Sequence, residues 1–190
     1  MYNEKLYREY ANEFWVRLNE VFLQKPTDCN YLPIVFERKP DDKKYKYING
    51  FTKTHVNTRT QLSSLFPVVF IDDESCDKLK ETIRHEIIHY YLGLHYKHYQ
   101  DDTALFWVLC DLFEGGAYIE LSERNENIFK TAIPYIKRLY NHYDKCEEKS
   151  SVTIHLGVIL TAVDDAETNL EKNISGFKNI FEYCCKKCGC

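Results

Sequence analysis

The chain has 190 residues, enough for one domain, with a hydrophobic fraction of 44% that includes 15 Tyr and 11 Phe, so a substantial core is available. Its formal net charge of −4, with acids and bases interspersed, argues against a strongly electrostatic nucleic-acid binder and leaves a protein substrate open. No apolar run approaches the roughly 18 residues of a membrane span, and the opening MYNEKLYREYANEFW is charged from its fourth residue, unlike a secretory signal. A cytoplasmic setting is therefore expected, with Cys29, Cys76, Cys110 and Cys146 as scattered thiols rather than disulfide halves.

In chain order, Leu6, Tyr10, Phe14, Leu18 and Phe22 recur every four residues and predict a helix over 3–24, ended by Pro26. Residues 31–37 (YLPIVFE) are rich in strand formers. The turn cluster Pro40-Asp41-Asp42-Lys43 leads to the alternating Tyr45-Lys46-Tyr47-Ile48. Asn49-Gly50 before Phe51–Val56 predicts a two-residue hairpin turn, and Phe66–Ile71 predicts a further strand. Asp72-Asp73-Glu74-Ser75 supplies capping residues for a helix carrying Leu79, Ile83, Ile87 and Leu94, with Gly93 as its break. A polar loop over 95–101 follows, then a helix from Asp102 or Thr103 with Leu105, Leu109 and Leu112, stopped at Gly115-Gly116. Helical patterns resume at about 125–143 and 152–172. The sum predicts an α+β fold: a small antiparallel or mixed sheet from 31–38, 44–57 and 66–71, helix 3–24 above it, the helix of 76–93 beneath, and further C-terminal helices.

The richest local signal is His85-Glu86-Ile87-Ile88-His89, an HExxH within that last helix. Positions i and i+4 share a helix face, so both imidazoles can meet one ion, and the glutamate lies beside them as a general base for a metal-activated water. The cofactor expected is Zn2+, which in a catalytic site takes three protein ligands and leaves one position open. Three residues compete for the third place: His98 in the loop, Asp102 at the start of the next helix, and Glu114 near that helix's end. The bland alternatives are a solvated histidine, a helix N-cap and a solvent-facing charge. Tyr90, Tyr91, Tyr96 and Tyr99 are candidates for a phenol that stabilises an oxyanion, or are simply packing residues.

A strand at 67–71, a capped helix ending in RHEIIHYYLGL, a short polar loop and a helix entered ahead of Phe106 together resemble the SprT-like zinc metallopeptidases over about residues 30–120. The resemblance implies a zincin-like (minigluzincin-type) fold and proteolysis of protein substrates, some of them DNA-associated. It also implies a third ligand, usually histidine, about four residues before an aromatic. Asp102 takes that place relative to Phe106, and His98 takes it if the Tyr96-Lys97-His98 stretch is the anchor. The sheet edge beside the metal helix would then pair with an extended substrate.

Tyr183-Cys184-Cys185-Lys186-Lys187-Cys188-Gly189-Cys190 contains CxxC followed by glycine and resembles the first half of a zinc ribbon. The expected organisation is one metallopeptidase domain over 1–182 and a cysteine-rich tail over 183–190, metal-binding or merely reactive. Two other functions compete with the SprT-like protease. One is a repressor-cleaving peptidase resembling the ImmA and IrrE group. The other is a non-catalytic protein- or DNA-binding module on the same scaffold.

Overall fold

The computed structural model describes residues 4–22, 32–43, 49–56, 63–71, 76–169 and 174–190. Among them stand six helices and three strands: α1 (Glu4–Phe22), β1 (Val35–Glu37), β2 (Gly50–Val56), β3 (Ser63–Phe70), α2 (Cys76–His95), α3 (Ala104–Phe113), α4 (Glu123–Tyr143), α5 (Lys149–Thr168) and α6 (Ile174–Cys188). The fold class is α+β. The sheet is mixed, in the order β1-β3-β2, with β1 parallel to β3 and β2 antiparallel to it.

β3 is the central strand because its apolar run is the one that can be buried on both sides: Val68, Val69 and Phe70 are all nearly inaccessible. The register sets Gly50 opposite Val69 and Thr52 opposite Pro67, which brings the first residues of β2 over the middle of α2. Residues 44–48 lie outside the described residues, and with them the first arm of the hairpin expected around Asn49-Gly50. The described antiparallel partner of β2 is β3.

α2 is covered on one flank by the sheet and on the other by α1 and α3. Leu79, Ile83, Ile87, Ile88, Tyr91 and Leu92 are its buried apolar residues, and a fully buried Ile or Leu contributes about 1.5–3 kcal/mol. Leu94 is exposed, and the expected break at Gly93 does not occur, since the helix runs on to His95. Gly93 has another role. A β-carbon there would stand 2.8 Å from Leu65 Cδ1, so the missing side chain lets β3 approach the helix.

Helix α1 packs on α2 and α5 rather than over the sheet as expected, and meets the sheet end of the fold through Arg8 Nη1, which donates to the Ile34 carbonyl at 3.0 Å. Its buried face is Ala11, Phe14, Trp15, Leu18, Val21 and Phe22, whereas Leu6 is exposed. A strict i, i+4 series drifts about 40° per step around a helix, so the two ends of a long stripe cannot share one face.

Residues 183–188 are the last turns of α6, packed against α4 and α5, not a separate tail. Phe177, Phe181, Cys184 and Cys185 form its buried stripe, at helical spacing. Cys185 Sγ donates to the Tyr135 carbonyl at 3.8 Å, Cys188 Sγ lies 3.4 Å from His155 Nδ1, and Cys190 Sγ donates to the Cys185 carbonyl at 3.6 Å. Burial raises the Cys184 and Cys188 thiols and pushes Cys185 up to about 12, so their thiol forms are favoured. No described helix is long and apolar enough to cross a membrane.

Candidate metal centre

His85 and His89 point the same way from α2, with ring centroids 4.8 Å apart and side chains only 11% and 10% exposed. Each Nδ1 faces a backbone carbonyl: Gly116 O at 2.8 Å from His85 and Tyr99 O at 2.5 Å from His89. A carbonyl can only accept, so both Nδ1 atoms carry the proton and both Nε2 atoms turn inward with lone pairs that could serve a metal. Phe106 walls the pair from α3, stacked on His89 at 4.0 Å and edge-on to His85 at 4.9 Å.

The third group is Asp101. Its Oδ1 lies 3.2 Å from His85 Nε2 and 3.4 Å from His89 Nε2, and the two Nε2 atoms are 3.2 Å apart. Four tetrahedral ligands at zinc's usual distance of about 2.0–2.1 Å stand about 3.3 Å from one another, so the triangle has the edge length that such an ion requires. The donor set makes the same point. Two imidazole lone pairs and a carboxylate oxygen converge, and only a cation or a shared proton reconciles them. His85, His89 and Asp101 are the group among the described residues that could hold a metal ion.

Electrostatics agree with that geometry. Burial works against the Asp101 carboxylate, but its contacts with His85 and His89 outweigh burial and hold it far below the usual carboxylate range. For His85 burial favours the neutral ring, yet Asp101, the Glu86 charge and the Gly116 carbonyl together raise its pKa. His85 therefore favours an extra proton beside the Asp101 carboxylate, a positive charge that a bound cation would replace.

The structure brings none of His98, Asp102 and Glu114 to the imidazole pair. His98 Nδ1 is 2.9 Å from Asp164 Oδ1 on α5. Asp102 is exposed, and its carbonyl accepts from Asn125 Nδ2 at 2.9 Å. Glu114, in the left-handed conformation (φ 56°), ends α3 with its side chain 85% exposed. Thr103 explains the one-residue difference between Asp101 and Asp102. It is the N-cap of α3, its hydroxyl accepting from the Phe106 amide and donating to Gln100 O at 2.8 Å, so the turn before the helix aims residue 101 inward. Trp107 Nε1 donates to the Asp101 carbonyl at 3.0 Å and fixes that turn.

Glu86 lies beside the triangle. Its Oε1 is 4.0 Å from His85 Nε2, and its Oε2 accepts from Thr52 Oγ1 on β2 at 3.1 Å. The residue is 3% exposed, and burial raises its pKa against the opposing pull of His85, His89 and Thr52. Gly50 permits this closeness: a β-carbon there would meet Glu86 Cγ and Oε1 at 2.8 Å and the Val68 carbonyl at 2.9 Å.

Two cavities of about 470 and 400 Å3 flank the centre and share Gly50, His85, Glu86 and Asp101. One continues past Lys78, Tyr118 and Ile119, the other past Phe51, Thr52, Tyr99 and Gln100. A larger cavity of about 890 Å3, lined by Glu81, Arg84, Trp107 and Asp111 among others, contains none of the converging ligand atoms. Of the expected tyrosines, Tyr91 is buried against Trp15 and Phe22, Tyr90 also packs on Trp15, and Tyr99 reaches the cleft. Tyr118, which the sequence pattern did not single out, stands at the mouth with its ring 5.6 Å from His85 and its hydroxyl taking a 2.6 Å hydrogen bond from Lys78. Comparison with known protein families, curated proteins and solved structures finds no match to this chain.

Proposed function

We propose that the protein is a zinc-dependent peptidase of the SprT-like kind, on a zincin-like fold, with His85, His89 and Asp101 as ligands and Glu86 as general base. The observation that carries this reading is the triangle of Nε2, Nε2 and Oδ1 atoms with edges of 3.2–3.4 Å and a buried carboxylate alongside. When bound, zinc supplies Lewis acidity, polarising the scissile carbonyl and lowering the pKa of the attacking water toward about 7.

The chain's own residues do the rest. Glu86, held through Oε2 by Thr52, receives a proton from the attacking water and returns it to the leaving amine nitrogen. The Gly116 and Tyr99 carbonyls hold the imidazoles in the tautomer the ligands need. β2 borders the centre through Gly50, Phe51 and Thr52 at an edge of the described sheet, which suits an extended chain pairing along it. Cavities on both sides of Glu86 favour a polymer running through the site over a small molecule enclosed in it.

The test is a peptide library incubated with the zinc-loaded protein and with Glu86→Gln, cleavage being read by mass spectrometry. The proposal expects Glu86→Gln to keep zinc and lose cleavage by several orders of magnitude, because the amide cannot accept the water's proton. A library left uncut by the wild type, or cut equally by both proteins, overturns it.

A further inference from the structure

Helix α5 is apolar where it meets the rest of the molecule, through Val152, Leu156, Ile159, Leu160 and Val163, yet it sends two carboxylates inward one turn apart. Asp164 is 7% exposed, and the Glu167 side chain 2%. Asp164 Oδ1 accepts from the backbone N–H of Lys97 at 3.2 Å, from that of His98 at 3.0 Å and from His98 Nδ1 at 2.9 Å, and Oδ2 accepts from Lys97 N–H at 3.3 Å. Glu167 Oε1 accepts from the backbone N–H of Leu105 at 3.1 Å and from that of Ala104, the first turn of α3. The two carboxylates thus grip both ends of the segment joining α2 to α3.

What lies between the grips is the part of the metal centre that α2 cannot supply. It comprises the Tyr99 carbonyl that orients His89 and the Asp101 carboxylate that completes the triangle. A buried carboxylate is costly to keep, and here the cost is visible. Glu167 Oε2 has no hydrogen-bond partner, and burial pushes the group up to about 7 despite the two amides and the nearby His98. An apolar residue would be cheaper at position 167 if packing were its whole role.

We propose that Asp164 and Glu167 are positioning residues for the metal centre, holding the 97–105 segment so that Asp101 and the Tyr99 carbonyl are in place before the ion arrives. The proposal rests on Asp101 being a ligand. Preorganisation of this kind is read out as affinity, since a loosened segment must be ordered again at each binding event.

The experiment measures the zinc affinity of the purified full-length chain by chelator competition. Five variants accompany the wild type: Asp164→Ala, Glu167→Ala, Glu167→Gln, Asp101→Ala and Leu156→Ala, the last truncating the core face of α5 about two turns before Asp164. Asp164→Ala and Glu167→Ala are expected to weaken zinc about 10–100-fold, the range for outer-shell partners. Glu167→Gln, which keeps the acceptor oxygen, should recover wild-type affinity within about threefold. Leu156→Ala should leave affinity unchanged while lowering the melting temperature. If Asp101→Ala loses zinc while Asp164→Ala and Glu167→Ala bind it like the wild type, this proposal fails and the metal-centre reading stands. If Asp101→Ala itself binds normally, that reading fails first. One measurement needs no variant. The amides of Lys97, His98, Ala104 and Leu105 should be as protected from hydrogen exchange as helix interiors in the zinc-free protein, and loop-like exchange there overturns the proposal.

Discussion

Replacing Gly50 by alanine tests the closeness of β2 to Glu86, the proposed general base. The new β-carbon would stand 2.8 Å from Glu86 Cγ and Oε1 and 2.9 Å from the Val68 carbonyl, where ordinary contact begins at 3.4 Å. Something must move by about half an ångström. The Val68 carbonyl belongs to the central strand, and Gly50 is itself paired opposite Val69, so the backbone yields least. Glu86 is the softer neighbour, although Thr52 tethers its Oε2. Overpacking of this kind costs about 1–3 kcal/mol of stability. A displaced general base costs more in rate, on the order of 100-fold for a shift approaching an ångström. Thermal melting, zinc content and cleavage of the library substrate, measured together, separate the effects. Gly50→Ala should melt lower, keep its zinc, and lose most of its activity in kcat rather than KM. A Gly50→Ala protein with wild-type melting and turnover would refute the claim that Gly50 makes room for Glu86.

Other predictions follow from the same geometry. Asp101→Ala should weaken zinc more than about 100-fold, beyond the range of outer-shell changes, whereas Asp102→Ala and Glu114→Ala should bind as the wild type does in the same competition assay. Glu167 predicts an inverted pH dependence. Its folded pKa of about 7 lies above the ordinary 4.5, so the stability it contributes is full below about 4.5 and lost as pH rises toward 7. The loss is at most about 3 kcal/mol, and in zinc-free protein the difference between wild type and Glu167→Gln across that window isolates it by denaturant titration. Gly93→Ala should cost about 1–3 kcal/mol without changing zinc affinity, because its close neighbour is Leu65 on β3 and not a ligand; an unchanged denaturation midpoint would contradict this.

Much of this architecture was legible because it rests on period. The apolar run of β3, the HExxH spacing and the α2 stripe as far as Ile87 are local patterns, and each lies in an element of the expected type, although Leu94 is exposed. The approach of Asp101 to the imidazole pair was not, because it depends on where a turn ends. The start of α3 is set by the Thr103 cap and by Trp107 reaching back to the Asp101 carbonyl, and these one-residue details decide between two adjacent aspartates. His98 is the ligand type zinc prefers, but its fate is decided by Asp164, 66 residues away, and periodicity carries no such information. The cysteines at the end carry two patterns at once. The stripe Phe177, Phe181, Cys184, Cys185 is an amphipathic helix in which cysteine serves as a small apolar residue, and CxxC spacing resembles a metal knuckle only when the backbone is a turn.

In the proposed site one zinc ion is held among two helical histidines and the aspartate of the following turn. A crystal structure of the zinc-loaded protein, with anomalous data collected on both sides of the zinc absorption edge, addresses it directly. A single peak is expected about 2.0–2.2 Å from Nε2 of His85, Nε2 of His89 and Oδ1 of Asp101, with the fourth position open toward Glu86. A peak coordinated by His98, Asp102 or Glu114 in place of Asp101, or no zinc at the His85–His89 pair, would contradict it.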